Sequence, residues 1–401
     1  MATQSNNSLR IKHTITGAVI IGITTIAFYS STNQASSQSP IKQPLVEASL
    51  FVANQPKIQI AILLDTSSSM DGLIDQARNQ IWQAVNEFSR AKRNGIKPTL
   101  EVAVYEYGND RLKKKSGYTR KVLPLTNDLD KVSEALFSLT TNGGSEFCGM
   151  VIDTASKELN WSQSENDIKA IFIAGNEAFS QGPMHFRHAI NNARSKGITV
   201  NTIHAGSYKD GAQTGWKEGA ILAGGNYMNI DHNHKITHIV TPHDKRISEL
   251  NVKLNQTYIP YGKQGQSGRQ RQMAQDEQTN NISSGLLSER VKSKTSSVYN
   301  NENWDLVDAL EKEKVELDEI QENDLPAAMK PMSKPKRKAY IKQQSEQRNK
   351  IKREIVDLSN KRDAFISEQK LLSPHKNVKT LDKALIGAIH KQGIKKSYEF
   401  K

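Results

Sequence analysis

The first organised stretch of the chain is residues 57–64, Lys-Ile-Gln-Ile-Ala-Ile-Leu-Leu, where alternation gives way to continuous apolar character. That change suits a strand buried on both faces of a parallel sheet. A polar turn follows at 65–72. Leu73, Ile74, Ala77, Ile81, Val85 and Phe88 then recur at helical spacing, with a stop before Gly95. Residues 100–107 predict a second strand. Thr126, placed as an N-cap, opens a helix carrying Leu129, Val132, Leu136 and Leu139. Helix resumes around Ala155 after a loop at 141–149. An apolar strand at 168–174, a helix at 185–196, a strand at 198–204 and a last edge strand within 222–230 complete the series. Strands alternating with helices at this rhythm predict a doubly wound, mostly parallel α/β sheet. In such sheets ligand sites form at the carboxyl ends of strands where the strand order reverses. The polar loop after the first buried strand is therefore the first place to look.

From about residue 263 the strand signals stop. Gly, Gln, Arg and Lys dominate 263–282, which reads as a flexible linker. Its Gly-x-x-Gly-x-x-Gly run at 262–268 lacks a following Gly-Lys-Ser/Thr and reads as a hinge, not a phosphate loop. Beyond it the pattern is helical at 284–299, 304–320, 339–372 and 381–394, broken by Pro326, Pro331, Pro335 and Pro374. Ile351, Ile355, Leu358, Phe365 and Leu372 lie on a heptad frame that Arg362 and Gln369 interrupt. A coiled coil and an antiparallel helical hairpin both remain open. The expected organisation is an export signal or membrane anchor at 1–29, a linker at 30–55, an α/β domain at 56–262, the linker at 263–282 and a mainly α-helical, basic region at 283–401.

Composition narrows the functional classes. The formal net charge of +13 favours anionic partners. No helix-turn-helix, zinc-finger or aromatic-basic ribonucleoprotein pattern is present, so nucleic acid is not an expected partner. The lysine-rich runs at 334–338 and 391–396 serve either as a contact for an anionic surface or membrane, or as a solvated face. The single cysteine, Cys148, cannot form an intramolecular disulfide and reads as a small buried residue. Arg10, Lys12 and His13 precede an apolar run at 15–28, as in an export signal. The expected location is the periplasm, or the inner membrane facing the periplasm, with cleaved and uncleaved forms both open.

The chemistry concentrates in Asp65-Thr66-Ser67-Ser68-Ser69, directly after the first buried strand. A hard divalent cation takes oxygen ligands, and a turn at a strand end can aim two hydroxyls and a carboxylate at one point. An ordinary strand-to-helix turn uses the same residues for capping. His232, His234, His238 and His243 match no zinc spacing and read as an edge loop. His185 and His188 are expected on a helix surface, and the four tryptophans as core or interface anchors.

The D-x-S-x-S pentapeptide after an apolar strand and before an amphipathic helix resembles the von Willebrand factor type A domain, over roughly residues 56–230. The stretch opening at residues 303–309 is similar to a region of bacterial exported proteins that carry such a domain. The resemblance implies a Rossmann-like sheet and a metal-ion-dependent adhesion site, usually called MIDAS. Asp65, Ser67 and Ser69 match its first part. Ser145 falls where the family has a threonine. Where the family has an aspartate after a central strand, this chain has Gly175-Asn176-Glu177, so Asn176 or Glu177 would have to supply an oxygen. The implied cofactor is Mg²⁺, or Mn²⁺ or Ca²⁺. The implied partner is a protein offering an acidic residue to the metal. Binding, not catalysis, is the expectation, since no Gly-x-Ser-x-Gly elbow, Walker loop or His-Glu-x-x-His is present. The function expected is a divalent-cation-dependent protein-binding module of the bacterial cell envelope. The alternative is a scaffold that acts through its basic helical tail and carries a vestigial metal site.

Overall fold

The computed structural model describes residues 55–234, 236, 238–372 and 379–400. The apolar run at 15–28, read as an export signal or anchor, lies outside the described residues. Among the described residues no helix is long and apolar enough to cross a membrane.

The strands are β1 (Lys57–Asp65), β2 (Ala91–Arg93), β3 (Thr99–Tyr107), β4 (Thr119–Thr126), β5 (Ile168–Gly175), β6 (Thr199–Ala205), β7 (Tyr227–Ile230) and β8 (Tyr398–Phe400). Six of them form one sheet in the order β4-β3-β1-β5-β6-β7, and β2 pairs with β8. Every neighbour pair in the large sheet is parallel except β3 with β4. The chain leaves β1 toward β3, then returns to its other side at β5. That reversal makes the carboxyl end of β1 the switch point of the sheet.

The helices are α1 (Asp71–Phe88), α2 (Leu129–Ser138), α3 (Cys148–Glu158), α4 (Phe186–Ser195), α5 (Tyr208–Gln213), α6 (Trp216–Leu222), α7 (Asp244–Asn255), α8 (Gly265–Ile282), α9 (Ser284–Ser293), α10 (Leu306–Glu311), α11 (Lys334–Leu372) and α12 (Leu381–Ile394). The continuous apolar run of β1 has a direct cause. Ile58, Ile60, Ile62 and Leu64 pack on one face with α1 and α2, while Ala61 and Leu63 pack on the other with α3 and α4. The doubly wound sheet followed by a mainly helical region is as the periodicity predicted.

Several expectations need correction. Thr126 does not cap a helix. It ends β4, its hydroxyl accepts from Asp128 N at 3.1 Å, and Asp128 is the cap of α2. Strand β4 escapes a periodicity search because it is a half-exposed edge strand that contains Pro124. Proline is tolerated there because an edge strand leaves N–H groups outside the ladder.

The stretch 263–282, expected as a flexible linker, is mostly helix α8. Its buried positions are Gly265, Gly268, Gln272, Gln275, Asp276 and Thr279, all small or polar, so no apolar stripe marks it. Gly268 lies under the Trp304 ring, where a Cβ would clash.

The heptad frame in α11 marks its inward face, with Arg348, Ile351, Ile355 and Arg362 on it, and fades toward the C-terminal end. Its buried residues are Ile341, Arg348, Ile351, Ile355, Ser359 and Arg362, while Leu371 and Leu372 are exposed. The helix lies across α7, α9 and α10 instead of pairing in a coiled coil or hairpin.

These C-terminal helices extend the sheet's own core. Leu286, Leu287, Val291, Ile355, Leu381, Leu385 and Ile389 join the cluster that holds α1. Helix α1 is thereby covered on its polar side too. Gln76 and Gln80 accept from Leu381 N and Asp382 N at 3.4 and 3.1 Å, at the start of α12. Asn86 donates to the Glu289 carbonyl at 3.0 Å.

Charges inside this region are matched. Arg290 bonds Asp130 and Asp276 at 2.8 and 2.7 Å, and Lys294 meets Asp276 at 2.9 Å. Arg348 bonds Asp305 and Asp308, both at 2.7 Å. Arg362 bonds Asp244 and Glu289 at 2.8 and 2.6 Å.

Candidate metal centre at the carboxyl edge of the sheet

Asp65 is the last residue of β1, and its side chain is fully buried. Its Oδ1 accepts from Ser67 N at 2.8 Å, which turns the chain sharply and raises the Ser67 hydroxyl beside it. Ser67 Oγ and Ser69 Oγ stand 3.3 Å apart, and Asn176 Nδ2 donates to Ser69 Oγ at 3.1 Å. Three distant segments therefore meet: the β1 turn, the β5 end and the loop at 141–146. Ser68 locks the third in place. Its N–H donates to the Gly143 carbonyl at 2.9 Å, and its hydroxyl accepts from Gly143 N at 2.8 Å.

The loop brings in Glu146 more directly than Ser145. Ser145 is half-buried and makes no side-chain hydrogen bond among the described residues. Glu146 is buried, with its carboxyl turned toward Asp65 and Ser67. Two glycines make room for this. A Cβ on Gly108, where φ is +78°, would stand 2.7 Å from both Asp65 Oδ1 and Glu146 Cγ. A Cβ on Gly144 would stand 2.6 Å from Ser67 Cβ and 2.9 Å from Glu146 Oε1. Glu177 is exposed at the rim and acts on both carboxyls through its charge. Its residue-146 counterpart was missed in the sequence because only a position-by-position family pattern directed attention to Ser145.

The electrostatics are those of carboxylates without a counter-ion. Burial raises Asp65 to about 7, against the bonds from Ser67 that lower it, with Glu177 adding repulsion. Burial, then the charges of Asp65 and Glu177, raise Glu146 to about 8. Asp65 Oδ2, Glu146 Oε2 and Asn176 Oδ1 are all buried with no hydrogen-bond partner. Orphaned buried acceptors are uncommon and call for a ligand, water or ion. The oxygen-only donor set fits a hard divalent cation. No group of three or more His, Cys, Asp or Glu side chains is poised for a metal among the described residues. A cation here would depend on hydroxyls and on few carboxylates.

Other candidates do not converge on this point. His185 caps α4 on the surface, and His238 bonds Asn79 at 3.0 Å, with burial lowering its pKa. Cys148 is buried against the Tyr107 hydroxyl, and burial pushes its thiol well up.

Residues 59–217 match the family profile of the von Willebrand factor type A domain. The chain carries a type A domain. The match covers the strands from within β1 to β6 and every loop that builds the site. No curated protein sequence matches the chain. Among solved structures, proximal thread matrix protein 1 from the mussel byssus aligns at 14% identity and a TM-score of 0.32, over 43% of this chain and 41% of its own. The chain thus spans less than half of that protein's length. BatB from Bacteroides thetaiotaomicron aligns at 17% identity and a TM-score of 0.34, over 43% of this chain and 90% of its own. An aerotolerance-related membrane protein from Bacteroides fragilis aligns at 18% identity and a TM-score of 0.31, over 43% of this chain and 92% of its own. Type A domains form a protein-interaction and adhesion family, and the mussel protein has a structure with zinc in its MIDAS motif.

Proposed function

We propose that the type A domain binds a partner protein through a divalent cation, Mg²⁺ or Mn²⁺ or Ca²⁺, and is not an enzyme. The observation that carries this is the trio of unpartnered buried oxygens, on Asp65, Glu146 and Asn176, around the Ser67 and Ser69 hydroxyls. Asp65, Ser67 and Ser69 would hold the ion, with Glu146 supplying the second carboxylate that the missing aspartate after β5 would otherwise give. Ser145, Asn176 and Glu177 stand around it. The ion when bound supplies an electrophilic position for a carboxylate of the partner. The domain's own residues then have two tasks: to hold the loop at the hydroxyls in place through Ser68 and Gly143, and to exclude water beneath the site.

Against catalysis, the imidazole beside the site contacts main-chain carbonyls and not a serine or cysteine. His204, next to the Asn176 loop, faces the carbonyls of Asn176 and Ser207 at 3.1 and 3.0 Å. The basic run before the apolar stretch at 15–28 supports a cell-envelope location, periplasmic or anchored in the inner membrane and facing the periplasm.

Thermal unfolding with and without millimolar Mg²⁺ or Mn²⁺ tests the reading. Wild type should gain about 2.7 kcal/mol at a hundredfold excess over Kd. Asp65→Ala should show no gain. An equal shift in both would remove Asp65 from the site, and no shift in wild type would leave the domain without its proposed cation.

A further inference from the structure

Strand β7 is the free edge of the sheet at the end opposite β4. The carbonyls of Asn226 and Ile230 accept from Thr202 N and Gly206 N at 3.0 and 3.1 Å, on the β6 side. Alternation then turns the main-chain groups of Tyr227 and Asn229 outward. Alongside that edge runs α12, and a groove of about 370 Å³ lies between them.

Lys379, Lys383 and Lys391 line this groove, and no aspartate or glutamate does so among the described residues. Lys379 Nζ donates to Asn229 Oδ1 at 2.9 Å, and Lys391 Nζ to Asn226 Oδ1 at 3.4 Å. Both cations therefore rest on neutral amide oxygens. Small residues Ala384, Gly387 and Ala388 keep the helix wall low, and a Cβ on Gly387 would meet nothing within 4 Å. Lys383, Gly387 and Lys391 lie four residues apart along one helix face, so the two lysines are separated by about 12 Å of rise. Four residues of extended chain span about 13 Å. A strand laid along β7 would thus bring side chains of one face, two and four residues apart, into register with the lysines.

We propose that this groove takes an extended acidic segment of a partner protein as a seventh strand on β7. Its alternate carboxylates meet Lys383 and Lys391, and its main chain pairs with Tyr227 and Asn229. The cations alone would accept any polyanion. Among the described residues the outward main-chain groups of Tyr227 and Asn229 have no partner, while just beyond β7 Asp231 N donates to the Lys379 carbonyl at 3.4 Å. This edge selects an occupant that has N–H and C=O groups at strand spacing, which a phosphate chain or lipid headgroup lacks. The groove is separate from the Asp65 cluster and does not depend on a cation there.

Fluorescence anisotropy with the full chain and a labelled Glu-Val-Glu-Val-Glu-Val peptide tests this. Lys383→Glu with Lys391→Glu should weaken binding by about tenfold or more, since charge-assisted contacts are lost and repulsion is added. Asn229→Pro should weaken it similarly, because its outward N–H is removed at an edge where proline is tolerated. Asp65→Ala should leave it unchanged. To keep the result independent of variant folding, wild type is also challenged with the same peptide N-methylated at alternate residues, which cannot pair and should lose binding. Equal binding of the N-methylated peptide, or competition by polyphosphate at equal charge as effective as the peptide itself, would overturn strand addition.

Discussion

Two sets of buried carboxylates in this molecule have opposite surroundings. Under the C-terminal helices, burial pushes Asp276 up, but Lys294 and Arg290 more than reverse this and hold it well below the usual carboxylate range. At the end of β1, Asp65 and Glu146 are as deeply placed, yet among the described residues no lysine or arginine bonds to either, and both are raised. The first set is complete within the chain. The second has buried oxygens left over, which on the proposed reading a cation from outside would satisfy. Burial of an acid is therefore not in itself a sign of a site; burial of an acid whose second oxygen has no partner is.

The strongest way to probe the contrast is to break the complete set. Arg290→Ala leaves Asp130 with the Tyr299 hydroxyl alone and weakens the hold on Asp276, and removing one partner of a buried pair costs about 3–5 kcal/mol. Urea unfolding should show that loss with or without Mg²⁺. A loss that Mg²⁺ rescues would mean the two regions are coupled.

The incomplete set gives a pH signature of opposite sign. In metal-free buffer Asp65 and Glu146 hold protons in the folded state up to about 7 and about 8, whereas the unfolded chain releases them near 4. The folded state thus binds more protons in this window, so this contribution to stability is full below about pH 4 and is lost as pH rises through 7 to 8. Glu146→Gln should flatten that decline and stabilise the metal-free protein by about 1 kcal/mol at pH 9. Cation binding should release protons near neutrality, read as a dependence of calorimetric heat on buffer ionisation enthalpy. A decline of the same depth in Glu146→Gln would remove that carboxyl from the effect.

The smallest expected effect separates neighbours in one loop. Ser145→Ala should change stability by less than about 0.5 kcal/mol, as for a side chain without partners, and leave cation affinity in place. A clear loss of affinity would return Ser145 to the role that the family pattern gives it.

The sheet was readable because β1, β3, β5 and β6 are buried on both faces and carry apolar runs, least continuous in β6 with its Asn201, Thr202 and His204. Asp65, Ser67 and Ser69 stood out because one short turn carries all three, and the resemblance to the type A domain, not the spacing alone, set them apart from an ordinary capping turn. Glu146 did not stand out, since which of two adjacent loop residues points inward is set by Gly108 and Gly144, through contacts that no spacing expresses. Helix α8 and the charged part of the inward face of α11 were hidden for another reason. Their buried residues are Gln272, Asp276, Arg348 and Arg362, which an apolar count scores as solvent-facing. Matched charges inside a protein look like a surface when read one residue at a time.

The glutamines of α1 carry a consequence for synthesis. Gln76 receives its bond from Leu381, 305 positions later. At about 5–20 residues per second, a ribosome would need about 15–60 s between delivering one and delivering the other. Once β7 has been made, and until α12 follows, α1 has its sheet-facing side covered and its opposite side, with the apolar residues that meet α12, open to whatever is nearby. A nascent chain in this state is a natural client for a chaperone or an export factor that holds it back from closing.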